Sequence, residues 1–201
     1  SAMIDGDYIE VTQRATPTSN EINTTPLYHN LPIGRYSSTG QIGVYEFLVP
    51  GAKTTSVLAN RGCRAKCSFC SVRSFNGLGV RGRNIVSVVD EMERCVQEYG
   101  ISHFEWLDDD LFYDKARTVM IFNEIIKRKL GISWSASNGV IPAAITDEIM
   151  SSAVESGCIG MNWGIESGRP EILRSVHKPG TIETFLRAKE IVHRYPSVFT
   201  T

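Results

Sequence analysis

Residues 54–70 read Thr-Thr-Ser-Val-Leu-Ala-Asn-Arg-Gly-Cys-Arg-Ala-Lys-Cys-Ser-Phe-Cys, a short β-branched run followed at once by three cysteines in a CxxxCxxC array. The run from Thr54 to Asn60 predicts a strand, and Cys63, Cys67 and Cys70 hang in a loop from its C-terminal end. Three thiolates at this spacing can converge from one loop on a single inorganic centre. A 4Fe-4S cluster has four irons, so three cysteines leave one iron without a protein ligand and open to substrate. A structural zinc site is the alternative, but such sites are closed by four ligands, usually two separated pairs. No second cysteine pair follows, and the spacing of His29 and His103 gives no reason to choose either as a fourth ligand. Spacing therefore favours iron and sulfur over zinc.

Beyond the loop, the pattern alternates between strand and helix. Asn84 is an N-cap for a helix carrying Ile85, Val88, Val89, Met92, Val96 and Tyr99, with Gly100 at its end. His103–Leu107 reads as the second strand, and Asp114 caps a helix that Gly131 ends. Residues 132–136 are the third strand, Thr146 caps the next helix, and residues 158–166 are an apolar fourth strand. A last helix runs from about Ile182 to Arg194, before Pro196. Strands begin near 54, 103, 132 and 158, intervals typical of successive βαβ units once the cysteine loop is counted in the first. The sheet should be parallel, with right-handed crossovers and ligands at the C-terminal strand ends. The cysteines, Asp108–Asp110, Asn138 and Glu166 all fall at those ends.

Three segments are expected. Ser1-Ala2-Met3 resembles the remnant of a cleaved expression tag. Residues 4–52 carry Pro17, Pro26, Pro32 and Pro50 without sustained periodicity and form an extended N-terminal arm, with a small hairpin proposed over Gly40–Val49. Residues 53–201 form the core, about four βα units, which reads as incomplete where a further strand is due at Ser197–Thr201.

The net charge of −1 suggests neither a nucleic-acid partner nor an anionic membrane surface, and there is no apolar run of transmembrane length. Five cysteines without a secretory signal point to a reducing compartment, the cytoplasm, with Cys95 and Cys158 as buried small hydrophobes. Locally, Arg61, Arg64, Lys66, Arg73, Arg81 and Arg83 surround the cysteine loop, either as a solvated basic loop or as charge favouring thiolates and an anionic ligand.

Asp108, Asp109 and Asp110 could accept hydrogen bonds from an ammonium group or hold a cation such as magnesium; otherwise they simply place negative charge before a helix. Alternation along an extended chain lets at most two of them face one pocket. Glu166, between Gly164 and Gly168, is placed to accept the two hydroxyls of a ribose, or is a solvated strand-end charge. Lys178, before Pro179-Gly180, could reach a carboxylate. Trp106, Trp134 and Trp163 read as core.

Together these residues resemble the radical S-adenosylmethionine superfamily over about residues 54–196. The resemblance rests on the CxxxCxxC array with Phe69 before its last cysteine, in a strand-loop context. It implies a partial βα barrel of α/β class in which Cys63, Cys67 and Cys70 bind a 4Fe-4S cluster. The free iron would take the amino nitrogen and carboxylate of S-adenosylmethionine, whose one-electron cleavage gives a 5'-deoxyadenosyl radical that abstracts substrate hydrogen. It also implies adenine contact by Phe69, largely through its backbone, ribose binding by Glu166 and a basic partner for the methionine carboxylate in Lys178. Asp108-Asp109-Asp110-Leu111-Phe112 stands where many members have Gly-Gly-Glu and resembles the Asp-Asp variant of the cobalamin-associated branch, which places Asp109 and Asp110 at the methionine amino group. Residues 25–36 resemble that branch's linker, so cobalamin enters only through a domain outside this sequence. A flavodoxin or ferredoxin is the implied electron donor. A non-catalytic zinc or iron-sulfur module is the competing reading.

Overall fold

The computed structural model describes residues 2–4, 7–9, 15–39 and 45–201. Five strands form one parallel sheet in chain order: β1 (Thr54–Val57), β2 (His103–Trp106), β3 (Ser133–Val140), β4 (Cys158–Trp163) and β5 (Phe199–Thr200). Five helices accompany them: α1 (Ile85–Tyr99), α2 (Lys115–Arg128), α3 (Asp147–Glu155), α4 (Pro170–Ser175) and α5 (Ile182–Val192). Sequential strand order in a parallel sheet is the arrangement of a partial βα barrel.

Local chemistry sets the helix boundaries. The side chains of Asn84, Asp114, Thr146 and Thr181 accept the backbone N–H of Ser87, Arg117, Ile149 and Thr184, satisfying donors that the first helical turn leaves open. Gly100 ends α1 in the left-handed conformation, as its position predicts. Helix α2 stops earlier than Gly131 suggests, because Lys129 takes the left-handed position with φ 53°. Strand β3 runs to Val140, past its expected end at Ala136, and β4 ends at Trp163 rather than Glu166. The turn that follows β4 puts Glu166 itself at φ 68°.

The two faces of the sheet differ. On the helical side Trp134 stacks on Phe122 at 4.9 Å and meets Trp106 edge-on at 6.3 Å, all three buried with Met92, Phe104, Ile149 and Met161. Each such side chain contributes about 2 kcal/mol through removal from water. The inner face is polar, because Ser56, Glu105, Ser135 and Gly160 lie in register across four strands. His103 hydrogen-bonds Ser133 Oγ at 2.8 Å and Ser135 Oγ at 3.0 Å, and Glu105 accepts from Ser135 Oγ and the Ser137 amide. These groups satisfy one another, which makes their burial tolerable.

Among the described residues before the core, Ala2–Ile4 pairs antiparallel with Asp7–Ile9, and there are short turns of helix at Ser19–Ile22 and Ile33–Thr39 and 3-10 turns at Tyr28–Asn30 and Glu46–Leu48. Of the hairpin expected at Gly40–Val49, residues 40–44 lie outside the described residues, and Glu46–Leu48 is a 3-10 turn instead of a strand. Tyr45 accounts for that departure: it turns inward, fully buried, over Gly160 and donates to Asn162 Oδ1 at 2.7 Å. Tyr28 donates to Glu91 Oε1 at 2.8 Å, and Glu91 forms a buried ion pair with Arg83 at 2.6 Å, tying the arm to α1.

Candidate active site

The cysteine loop leaves β1 and returns through the short helix Val72–Asn76. Its ends are joined by antiparallel pairing of Asn60–Arg61 with Arg81–Gly82. The three aspartates after β2 fix the near end of this loop. Asp108 accepts from the Ala59 and Asn60 amides at 3.0 and 2.6 Å. Asp109 accepts from the Gly62 amide at 3.1 Å and from Asn76 Nδ2 at 2.7 Å. Asp110 accepts from the Arg64 amide at 3.3 Å and pairs with Arg64 Nε at 3.0 Å. From α2, Arg117 donates to the Asn60 side chain and to the carbonyls of Ala59 and Arg83. The far end of the loop is pinned where the Ser68 amide donates to the Val176 carbonyl at 3.0 Å, two residues before Lys178.

Cys63, Cys67, Phe69 and Cys70 line one cavity of about 270 Å³ with Asp109, Asn138, Gly164, Glu166 and Lys178. Lys178 Nζ meets Glu166 Oε1 at 2.9 Å across its wall. Gly164 allows this approach, since a Cβ there would stand 2.7 Å from Lys178 Nζ. Asn138 is held by the carbonyls of Leu107 and Asp108 at 3.2 and 3.1 Å. Burial pushes the Cys63 thiol up to about 11 and raises Cys67 as well, with Lys178 pulling Cys67 the other way.

Most residues singled out in the sequence therefore meet in one place. Asp110 does not line the cavity; its carboxylate is 1% exposed and is engaged by Arg64 behind the loop. His103 lies at the start of β2, inside the polar inner face, and His29 is exposed on the arm, so neither stands with the cysteines. Arg117 and Asn76 shape the loop yet carry no sequence signal, because their roles depend on how the loop folds back; Arg64 stands out in the sequence only as one of the loop's cations, and the fold ties it to Asp110.

The donor set fits an iron-sulfur cluster with a zwitterionic ligand. Three thiols face one cavity, beside carboxylates that can accept from an ammonium and a ribose and a lysine that can donate to a carboxylate. Among the described residues no three His, Cys, Asp or Glu side chains are arranged around a single metal ion. A cluster does not require that arrangement, since it distributes its thiolates over several irons.

The profile of the radical SAM superfamily matches residues 57–201. The chain belongs to that superfamily. Its cofactors are a 4Fe-4S cluster and S-adenosylmethionine. Among its relatives, an uncharacterized methyltransferase of Pyrococcus horikoshii is 31% identical over 85% of this chain and 34% of its own length. The cytidylyl-2-hydroxyethylphosphonate methyltransferase of Streptomyces wedmorensis is 29% identical over 79% of this chain and 29% of its own. The chain thus spans about a third of the length of these relatives. A solved radical S-adenosylmethionine methyltransferase of Kitasatospora setae, with cobalamin and a 4Fe-4S cluster bound, shares the fold. Its TM-score is 0.68 at 23% identity, covering 83% of this chain and 31% of its own. Among the described residues, no helix is long and apolar enough to cross a membrane.

Proposed function

We propose that this chain is the S-adenosylmethionine-cleaving part of a radical enzyme of the cobalamin-associated branch, with methyl transfer or cyclisation as the reaction of the whole protein. The observation that carries this reading is the single cavity shared by Cys63, Cys67, Cys70, Asp109, Glu166 and Lys178. When bound, a 4Fe-4S cluster supplies the electron that splits S-adenosylmethionine into methionine and a 5'-deoxyadenosyl radical, which removes a hydrogen atom from substrate.

The chain's residues hold and orient the reactants. Cys63, Cys67 and Cys70 bind the cluster as thiolates. Asp109 accepts from the methionine ammonium while keeping the Gly62 amide in place, and Asp110 acts through Arg64 on the backbone beside Cys63. Glu166 accepts from the ribose hydroxyls, Phe69 lies along the adenine, and Lys178 turns from Glu166 to the methionine carboxylate. Residues 53–201 act as one core with residues 4–52 as its arm. The protein works in the cytoplasm, where a flavodoxin or ferredoxin provides the electron.

Anaerobic reconstitution with iron and sulfide tests this. The expected result is a broad visible absorption that shifts when S-adenosylmethionine is added and is lost in the Cys63→Ala/Cys67→Ala/Cys70→Ala variant. Stoichiometric zinc with no S-adenosylmethionine binding would instead favour a metal-binding module.

A further inference from the structure

Between Thr54 and Val89 the chain contains six cations and no acidic residue, although its overall net charge is −1. Two of the six are neutralised internally, Arg64 by Asp110 and Arg83 by Glu91. Among the described residues, Arg61, Lys66, Arg73 and Arg81 have no carboxylate within ion-pair distance; the ion pairs lie elsewhere. Arg81 and Arg73 donate to backbone carbonyls of the same loop, which fixes their charges in place without cancelling them. Apolar side chains outside the cofactor cavity stand among these cations: Phe75 and Leu78 are 82% and 70% exposed. A cleft of about 780 Å³ opens beside them, with Arg61, Arg73, Phe75 and Arg81 in its wall against a single carboxylate, Glu21, which accepts from the Thr18 amide and hydroxyl.

Unpaired arginines with exposed aromatic groups are the composition of a protein recognition surface, and a one-signed field raises the encounter rate with an oppositely charged partner. In the sequence these charges flank the cysteines on both sides; Arg61, Arg73 and Arg81 share the cleft, Arg73 also lines the cysteine cavity, and Lys66 is exposed on the loop beside Cys67. We infer that this face docks the electron donor, a small acidic one-electron redox protein, directly over the loop that carries Cys67 and Cys70. The inference rests on the cluster assignment proposed above and adds the place of docking. In the transfer the donor is oxidised by one electron and the cluster reduced by one, with no bond made or broken.

Binding is measured first on the chain without cluster, so docking is tested whatever becomes of the cluster assignment. Titration with an acidic flavodoxin, followed by its flavin fluorescence, should show binding that weakens steeply with added salt. Arg61→Glu/Lys66→Glu should weaken it about tenfold or more, Lys66→Glu alone by less, and Lys189→Glu on α5 should leave it unchanged. On reconstituted protein the same double variant should slow reduction by flavodoxin and not reduction by dithionite. Unchanged binding in the double variant would overturn the inference. So would saturable binding of pyrophosphate that depends on Arg61 in a chain that takes no flavodoxin, since the cleft would then be a small-anion site.

Discussion

Asp108 Oδ1 accepts the amide of Asn60 at 2.6 Å, across 48 residues of sequence, and its other oxygen takes the amide of Ala59. The carboxylate is buried, and burial pushes it up to about 7 although both amides favour its ionised form. It acts as a fixed template for the start of the cysteine loop. Asp108→Ala leaves two buried N–H groups unpaired and is expected to cost about 3 kcal/mol, read as a lower urea midpoint at unchanged slope. Asp108→Asn keeps one strong acceptor and should lose less. If both variants unfold like the parent chain, the template role is wrong.

Gly62 has φ 90°, and a Cβ there would lie 2.2 Å from the Gly79 carbonyl oxygen. That obstacle is backbone, so no side chain can move aside to relieve it. Gly62→Ala is expected to destabilise by about 3 kcal/mol or more and to abolish cluster uptake. Gly34→Ala, where an added methyl meets nothing within 4 Å inside the helix Ile33–Thr39, should be neutral or slightly stabilising in the same denaturation assay.

Gly164→Ala acts at the ligand instead of the fold. The new methyl would displace Lys178 Nζ and separate it from Glu166. S-adenosylmethionine affinity should fall about tenfold with the thermal midpoint within about 2 °C of the parent. An unchanged affinity in calorimetric titration would remove Lys178 from the cofactor site.

His103 sets a pH dependence. Burial lowers its folded-state value from 6.5 to about 4, so between these limits the unfolded chain binds more protons than the folded one. Its contribution is therefore fully present above pH 6.5 and is lost as pH falls towards 4, by an amount on the order of 3 kcal/mol. Denaturation midpoints taken across this range should show the slope, and His103→Gln should flatten it relative to the parent chain.

What could be read from the sequence was what local chemistry decides. Asn84, Asp114 and Thr146 announce three helices because a side-chain acceptor before an apolar period has one good use, and the strand spacing then requires a parallel sheet. The helix Val72–Asn76 and the pairing of residues 60–61 with 81–82 were not legible, since both are short and depend on the loop folding back on Gly62 and Gly79. Helix α4 had a signal in Pro170 at its first turn that the pattern of larger helices obscured. The aspartates stand out in the sequence as a group, but their hydrogen bonding to loop amides depends on tertiary geometry. Glu166 and Lys178 stand out separately, and only the folded turn shows that they meet.

The Asp108–Asp110 template also sets an order of events during synthesis. The segment Ala59–Arg64 leaves the ribosome almost fifty residues before the carboxylates that shape it, and Arg117 follows later still. Until then the thiols of Cys63, Cys67 and Cys70 belong to an unshaped nascent segment. If these thiols hold the cluster as proposed, the chain can shape their cradle only after Asp108–Asp110 have been made, and a ribosome stalled before Asp108 would hold three cysteines without it.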